Sequence, residues 1–189
     1  MIKQLIAHFS DFTKLPVNIS TVVEAIRESG VTDEINFFAP EIDGGIVRGF
    51  FHRRRILGKP YGDDVDITDI YYSNGSKAHW INLVCCKELM HLFDETPVLA
   101  STKEKVSTLI TDIVVPSDIS CSAPGISDHV TIFWALALLF PWDARELLIE
   151  PLKAGKLNTL DIAKMARLPH RYIGFLMSDN WARLYNTIK

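Results

Sequence analysis

The segment VTIFWALALLF (Val130–Phe140) constrains the fold most strongly, because it is the longest apolar run in the chain. It is too short to span a bilayer and ends at Pro141-Trp142-Asp143, so it predicts a buried helix. A chain of 189 residues, of which 48% are hydrophobic, can bury such a helix in a core. We therefore expect residues 1–189 to form a single globular domain.

Charge and cysteine content bear on the environment of the chain. The net charge is −3 and the pI is near 6.1, which gives no indication of nucleic acid or an anionic membrane as a partner. The N-terminal segment lacks the apolar stretch and the cleavage site of a signal peptide. The three cysteines, Cys85, Cys86 and Cys121, fit no disulfide framework. We therefore expect a cytoplasmic protein with reduced thiols; the oligomeric state stays open.

The first part of the chain predicts one helix and a small antiparallel sheet. The helix covers Pro16–Gly30, with Asn18 or Ser20 as its N-cap and Gly30 at its end. A Gly-rich segment, 41–45, predicts a hairpin turn between the first two strands. Segments rich in β-branched and aromatic residues predict the three strands, which are Ile35–Pro40, Gly45–Leu57 and Val65–Ser73.

The remainder of the chain predicts a helical body, which gives an α+β fold overall. A capping-box pattern, Ser101-x-x-Glu104, opens one of its helices, and Ser127 is the candidate cap of another. The last two helices form a short pair at about 157–177 that we expect to pack on the body. The predicted helices are His79–Phe93, Ser101–Val115, Asp128–Phe140, Asp143–Leu152, Thr159–Ala166 and Pro169–Met177.

The stretch NLVCCKELMHLFD (82–94) is the principal candidate for chemistry. Its centre, K-E-x-x-H, differs by one residue from H-E-x-x-H, the helical signature of zinc peptidases. Residues four apart share a helix face, so Lys87 and His91 point the same way and Glu88 lies beside His91. A match this short also arises by chance in ordinary buried helices. Lys87 and Glu88 lie in an otherwise apolar block, where charged side chains need partners. This placement argues against a chance match.

A second segment, SDHVTIFWALALLFPWD (127–143), makes the comparison more specific. Together with NLVCCKELMHLF and TLDIAKMARLPHRYIGFLM (159–177), it resembles the motifs of the ImmA/IrrE family of zincin-type metallopeptidases, over roughly residues 35–177. The resemblance implies a zincin-like fold. It also implies that Glu88 is the catalytic general base, that His91 and Asp128 are metal ligands, and that Lys87 occupies the position of the missing ligand.

Lys87 is the departure from the family pattern. An ammonium must lose its proton before it can bind zinc, and its ordinary pKa is about 10.4. The ammonium could instead replace the metal cation and pair with Glu88 or Asp128. The cofactor is therefore either none or Zn²⁺. Substitute ligands are available but poorly placed, and they are Cys86, His79, Glu95 and His129.

Three functions follow from these observations. The first is a degenerate, non-catalytic regulatory protein that binds a protein partner, such as a transcriptional repressor. The second is an active zinc endopeptidase that cleaves such a repressor, as the family does in bacteria and mobile elements. The third is a DNA-associated regulator that uses the helix pair, or the basic run Arg53-Arg54-Arg55. The second helix of the pair is mostly apolar, which favours packing over base contacts, so we expect no nucleic-acid partner.

Overall fold

A computed structural model describes residues 1–43, 48–58, 64–94 and 123–189, with side chains from residue 130 onwards in the last range. The chain has an α+β fold, and in these ranges it forms a three-stranded sheet and a set of helices. The elements are α1 (Ile2–Ser10), α2 (Ile19–Glu28), β1 (Glu34–Phe38), β2 (Gly49–Ile56), β3 (Val65–Tyr72), α3 (Ala78–Met90), α4 (Ala123–Leu139), α5 (Trp142–Lys153), α6 (Thr159–Ala166), α7 (His170–Leu176) and α8 (Asp179–Ile188).

The sheet is mixed, so the expectation of an antiparallel sheet is wrong. Strand β3 lies in the centre, parallel to β1 and antiparallel to β2. The predicted hairpin between the first two strands is wrong as well, because β1 and β2 pair with β3 and not with each other. The physical reason is visible in β3, where residues 67–70 are buried on both faces of the sheet. A strand buried on both faces belongs in the interior of a sheet.

The helix boundaries agree with the sequence in most places. Helix α2 ends as predicted before Gly30, which has a φ of +98° that favours glycine. Asn18 occupies the N-cap position of α2, but its side chain makes no capping hydrogen bond. Two helices, α1 and α8, lie in segments for which no helix was predicted. The helix predicted over 101–115 lies outside the described residues.

Helix α4 contains the long apolar segment and passes through the core. Residues 135–140 are fully buried, which confirms the buried helix predicted there. The helix begins at Ala123, so Ser127 lies inside it and is not its N-cap. Within the part of the chain that the structure describes, no helix is both long enough and apolar enough to cross a bilayer.

Helices α6 and α7 form the predicted pair. Helix α6 begins with a capping box in which Asn158 and Asp161 each bind the other residue's backbone. Arg167 has a left-handed backbone, with φ of 51°, and ends the helix. Phe175 of α7 meets Phe133 of α4, with ring centroids 6.1 Å apart. The pair therefore contacts the helical body through aromatic side chains.

Helix α5 anchors α7 through a buried arginine. Arg145 is only 4% exposed, and its guanidinium donates to the carbonyl oxygens of Leu176 (2.8 Å) and Ser178 (3.1 Å). The Leu176 carbonyl lies at the C-terminal end of α7, where a cation is favoured by the helix dipole, and Ser178 is the N-cap residue of α8. The hydrogen bond to Leu176 satisfies a backbone acceptor that α7 itself leaves open.

Gly49 allows β2 to lie directly on α3. A Cβ atom at this position would be 2.2 Å from Val84 Cγ1 and 2.8 Å from the carbonyl oxygen of Tyr71. Both distances are far below van der Waals contact, and one of the atoms belongs to the backbone. A side chain at position 49 would therefore force the strand and the helix apart.

We expect Gly49→Ala to lower the free energy of unfolding by about 2 kcal/mol, because overpacking a close contact costs about 1–3 kcal/mol. The measurement is the midpoint of urea unfolding. Gly174→Ala is the matched control: a Cβ there meets nothing within 4 Å, and alanine favours the helix. Equal destabilisation by the two substitutions would contradict the close approach at Gly49.

Candidate functional site

The candidate site lies at the C-terminal end of α3, where β2 crosses the helix. Lys87 Nζ is 3.1 Å from Glu88 Oε1, and Glu88 is only 3% exposed. Gly49 of β2 contributes to this burial, because a Cβ there would be 3.8 Å from Glu88 Cγ. The carboxylate is thus removed from water and held by the neighbouring ammonium, as a buried charge requires.

His91 completes the cluster from the 3-10 turn that follows α3 (His91–Phe93). Its Nδ1–H donates to Asp94 Oδ2 at 2.6 Å, and its Nε2 is 3.8 Å from Glu88 Oε2. The ring of Phe51, from β2, stacks on the imidazole with 4.9 Å between centroids and an interplanar angle of 7°. The stacking on Phe51 and the hydrogen bond between Nδ1 and Asp94 together fix the orientation of the imidazole ring.

The structure brings together Lys87, Glu88 and His91, as the K-E-x-x-H spacing predicts. Each oxygen of Glu88 faces one of the other two side chains. Asp128 lies in the first half of α4, and its side chain is outside the described residues. Its predicted role as a metal ligand therefore stays a prediction.

Sequence reasoning missed two residues of the cluster. Asp94 follows His91 by three positions, a spacing that places two side chains side by side on a helical turn, so the signal was present in HLFD. Phe51 comes from a distant strand and gives no local signal. Asp94 is the residue that the sequence could have revealed.

The side chains described at this site do not make up a zinc centre. An ammonium is not a zinc ligand, and structural or catalytic zinc needs three or four Cys, His or carboxylate ligands. Among the residues that the structure describes, no group of three or more His, Cys, Asp or Glu side chains could hold a metal ion. Of the substitute ligands, Cys86 is fully buried and faces the Ala135 carbonyl, whereas Glu95 and His129 lie outside the described side chains. His79 lies in the first turn of α3, at the opposite end of the helix.

Cys85 and Cys86 lie in the apolar interior, where thiolates are disfavoured. Burial raises the pKa of the Cys85 thiol to about 12, with a further contribution from the charge of Glu88. Burial also raises the pKa of the Cys86 thiol, which is completely buried. Neither thiol has the electropositive, accessible surroundings of a reactive cysteine.

The basic run in β2 is neutralised by aspartates of the sheet. Asp33 is almost fully buried and also accepts a hydrogen bond from Thr68 Oγ1 at 2.8 Å. The hydrogen bond from Arg55 lowers the pKa of the Asp66 carboxyl. The three ion pairs are Arg53 with Asp33 at 2.7 Å, Arg54 with Asp69 at 3.1 Å and Arg55 with Asp66 at 2.7 Å. These guanidinium groups therefore form ion pairs within and beside the sheet, and this pairing gives no support to a nucleic-acid contact.

The face of the sheet opposite α3 carries three stacked rings. Phe38, Tyr71 and Phe50 come from the three strands and occupy adjacent positions in the pairing register. Tyr71 lies 5.2 Å from Phe38 and 4.6 Å from Phe50, measured between ring centroids. Phe38 is 43% exposed and Phe50 is 44% exposed. We call these residues the aromatic row; large apolar groups exposed together are typical of interaction surfaces.

Comparison with protein-family models, with curated proteins and with solved structures finds no match to this chain.

We expect both buried thiols to resist alkylation in the folded protein. With a pKa of about 12, only about one Cys85 side chain in ten thousand is a thiolate at pH 8. The measurement is iodoacetamide modification at pH 8, followed by mass spectrometry, in a Cys121→Ser variant that leaves only these two thiols. Unfolding in urea is the control and should make both reactive; rapid modification without urea would contradict the burial.

Proposed function

We propose that this chain is a non-catalytic regulatory protein of the cytoplasm, which binds a protein partner through a zincin-like fold of the ImmA/IrrE type. One observation carries the proposal: the Lys87 ammonium lies 3.1 Å from the buried carboxylate of Glu88. In the family that the sequence resembles, this carboxylate is the general base. Here a side-chain cation takes the place that a metal cation would have beside it.

The ion pair argues against catalysis on electrostatic grounds. A general base must be within hydrogen-bond reach of the water that it activates. The oxygens of Glu88 face Lys87 at 3.1 Å and His91 at 3.8 Å. A divalent metal at this position would also be repelled by the adjacent ammonium, strongly so because the site is buried. In this cluster the Lys87 ammonium therefore neutralises the Glu88 carboxylate, as a metal cation would in a peptidase site.

The aromatic row supports a protein as the partner. Its rings are exposed on a sheet face, and aromatic residues are enriched among those that contribute most to protein–protein affinity. The row lies on the face opposite α3, so a partner could bind there without reaching Glu88. The partner that fits is a protein with an apolar surface, such as a transcriptional repressor.

A zinc endopeptidase is the second candidate, and one observation favours it. His91 Nδ1 is 2.6 Å from Asp94 Oδ2, and a neutral ring with its proton on Nδ1 would carry its lone pair on Nε2. Metal-binding histidines are commonly oriented by a carboxylate in this way. In this alternative His91 and Asp128 would hold the metal and Glu88 would be the general base.

Metal analysis separates the two candidates. We expect the purified protein to contain well below one zinc per chain, and Lys87→His to raise zinc affinity by restoring the missing ligand type. Lys77→His is the matched control, because it adds a histidine on the exposed start of α3 and should leave zinc binding unchanged. One zinc per wild-type chain, lost in His91→Ala and Asp128→Ala, would contradict the metal-free site and favour the endopeptidase instead.

Partner binding tests the regulatory role. The partner is identified by cross-linking and mass spectrometry, and its affinity is then measured with purified proteins. We expect Phe38→Ser/Phe50→Ser to weaken binding by about tenfold or more, because aromatic anchors typically contribute at least 2 kcal/mol. Leu147→Ser/Leu160→Ser removes two exposed apolar side chains elsewhere and is the control.

A chelator and Glu88→Gln should leave this affinity unchanged, and the partner should stay intact. Cleavage of the partner that stops in Glu88→Gln would overturn the regulatory proposal.

A further inference from the structure

Trp80, in the first turn of α3, is contacted by two arginines from different parts of the chain. The guanidinium carbon of Arg48, which precedes β2, is 3.7 Å from the ring centroid of Trp80. The guanidinium carbon of Arg171, in α7, is 4.6 Å from the same centroid. Both are within the distance at which a cation is attracted to an aromatic face. The fold thus brings two like charges onto one ring.

These two arginines differ from those of the sheet. Arg53, Arg54 and Arg55 are each paired with an aspartate. In the described parts of the chain, neither Arg48 nor Arg171 has a carboxylate within salt-bridge distance. The charge of Arg48 is therefore not neutralised by direct contact with an acid, although Asp43 lines the same cavity. A bound anion would supply the compensation.

An open cavity of about 440 Å³ adjoins Trp80 and is lined by further basic side chains. It lies between the end of β3 and the start of α3, where the N-terminal dipole of a helix adds positive potential. Asp43 is the acidic residue among the described side chains that line it. The basic and polar residues that line it with Trp80 are Arg48, Lys77, His79 and Ser76.

We propose that this cavity, which we call the Trp80 pocket, binds a phosphomonoester group attached to a small organic moiety. The guanidinium group of Arg48 matches phosphate oxygens geometrically, and Lys77 adds a point charge. The volume exceeds what a phosphate alone needs and falls in the range of small-molecule pockets. The ring of Trp80 holds the Arg48 guanidinium at the wall of the cavity through the cation–π contact.

The Trp80 pocket is separate from the site at Glu88. Lys77 and Lys87 are ten positions apart, which is roughly 15 Å along a helix with a rise of about 1.5 Å per residue. The proposal therefore does not depend on whether the Glu88 site is catalytic, and each can fail without the other.

Binding is tested by isothermal titration calorimetry of the full chain at about 0.15 M salt, where distant charges are screened, with two pairs of probes. One pair is adenosine monophosphate and adenosine; the other is a phosphoserine peptide and the same peptide with serine. The phosphorylated member of at least one pair should bind and its counterpart should not, and the pair that does so tells a free metabolite from a modified protein. Equal behaviour within both pairs would overturn the proposal.

Charge variants locate the binding. Arg48→Gln/Lys77→Gln should weaken the affinity for the bound probe by about tenfold or more, since two charge-assisted contacts are lost. Arg27→Gln/Arg183→Gln removes two exposed arginines elsewhere and should change the affinity less than about twofold, in line with a screened long-range effect. Lys77→Gln, an exposed position, gives a second test should the double variant unfold. Equal losses in the variant of Arg48 and Lys77 and in its control would show a general charge effect and overturn the assignment.

Discussion

The packing of α3 on two sides is the constraint on which the candidate site depends. The sheet covers one side of the helix, where Gly49 lets β2 approach Val84, and α4 covers another, where Cys86 meets Ala135. A carboxylate on such a helix cannot reach water, so Glu88 needs a cation beside it. Lys87 supplies that cation from the next position in the chain. Lys87, where the H-E-x-x-H signature has a histidine, therefore supplies the charge that the burial of Glu88 requires.

The local parts of the fold could be predicted from the sequence, whereas the pairing of strands could not. Helix α2 and the helix pair are marked by caps and glycines within a few residues of their ends, and the strands by their β-branched content. The order β1-β3-β2 depends on contacts between segments about thirty residues apart, such as the pair Ile35 and Thr68. A Gly-rich stretch next to two strands favours a hairpin on local grounds, but the burial of β3 on both faces decides the topology. Helices α1 and α8 are amphipathic and short, and they are stabilised by the core that they cover.

The residues of the candidate site divide in the same way, into those that local sequence predicts and those that only the tertiary structure brings together. The cluster of Lys87, Glu88 and His91 could be predicted because the three lie within five consecutive positions, across the end of α3 and the start of the 3-10 turn. Asp94 was within reach of the same reasoning, because it occupies the next turn. Phe51 could not be predicted, since its position over His91 depends on the register of β2 against β3. The sequence therefore reveals the polar groups of the site and leaves out the strand that covers them.

The arginines of this chain show why residue type alone does not indicate function. The run at 53–55 is the most obvious basic feature of the sequence. Its three guanidinium groups nevertheless form ion pairs with Asp33, Asp66 and Asp69. Arg48 and Arg171 lie outside this run, and only the fold places them over Trp80. Since a paired guanidinium has little electrostatic attraction left for a ligand, Arg48, which has no carboxylate partner among the described residues, has the greater capacity to bind an anion.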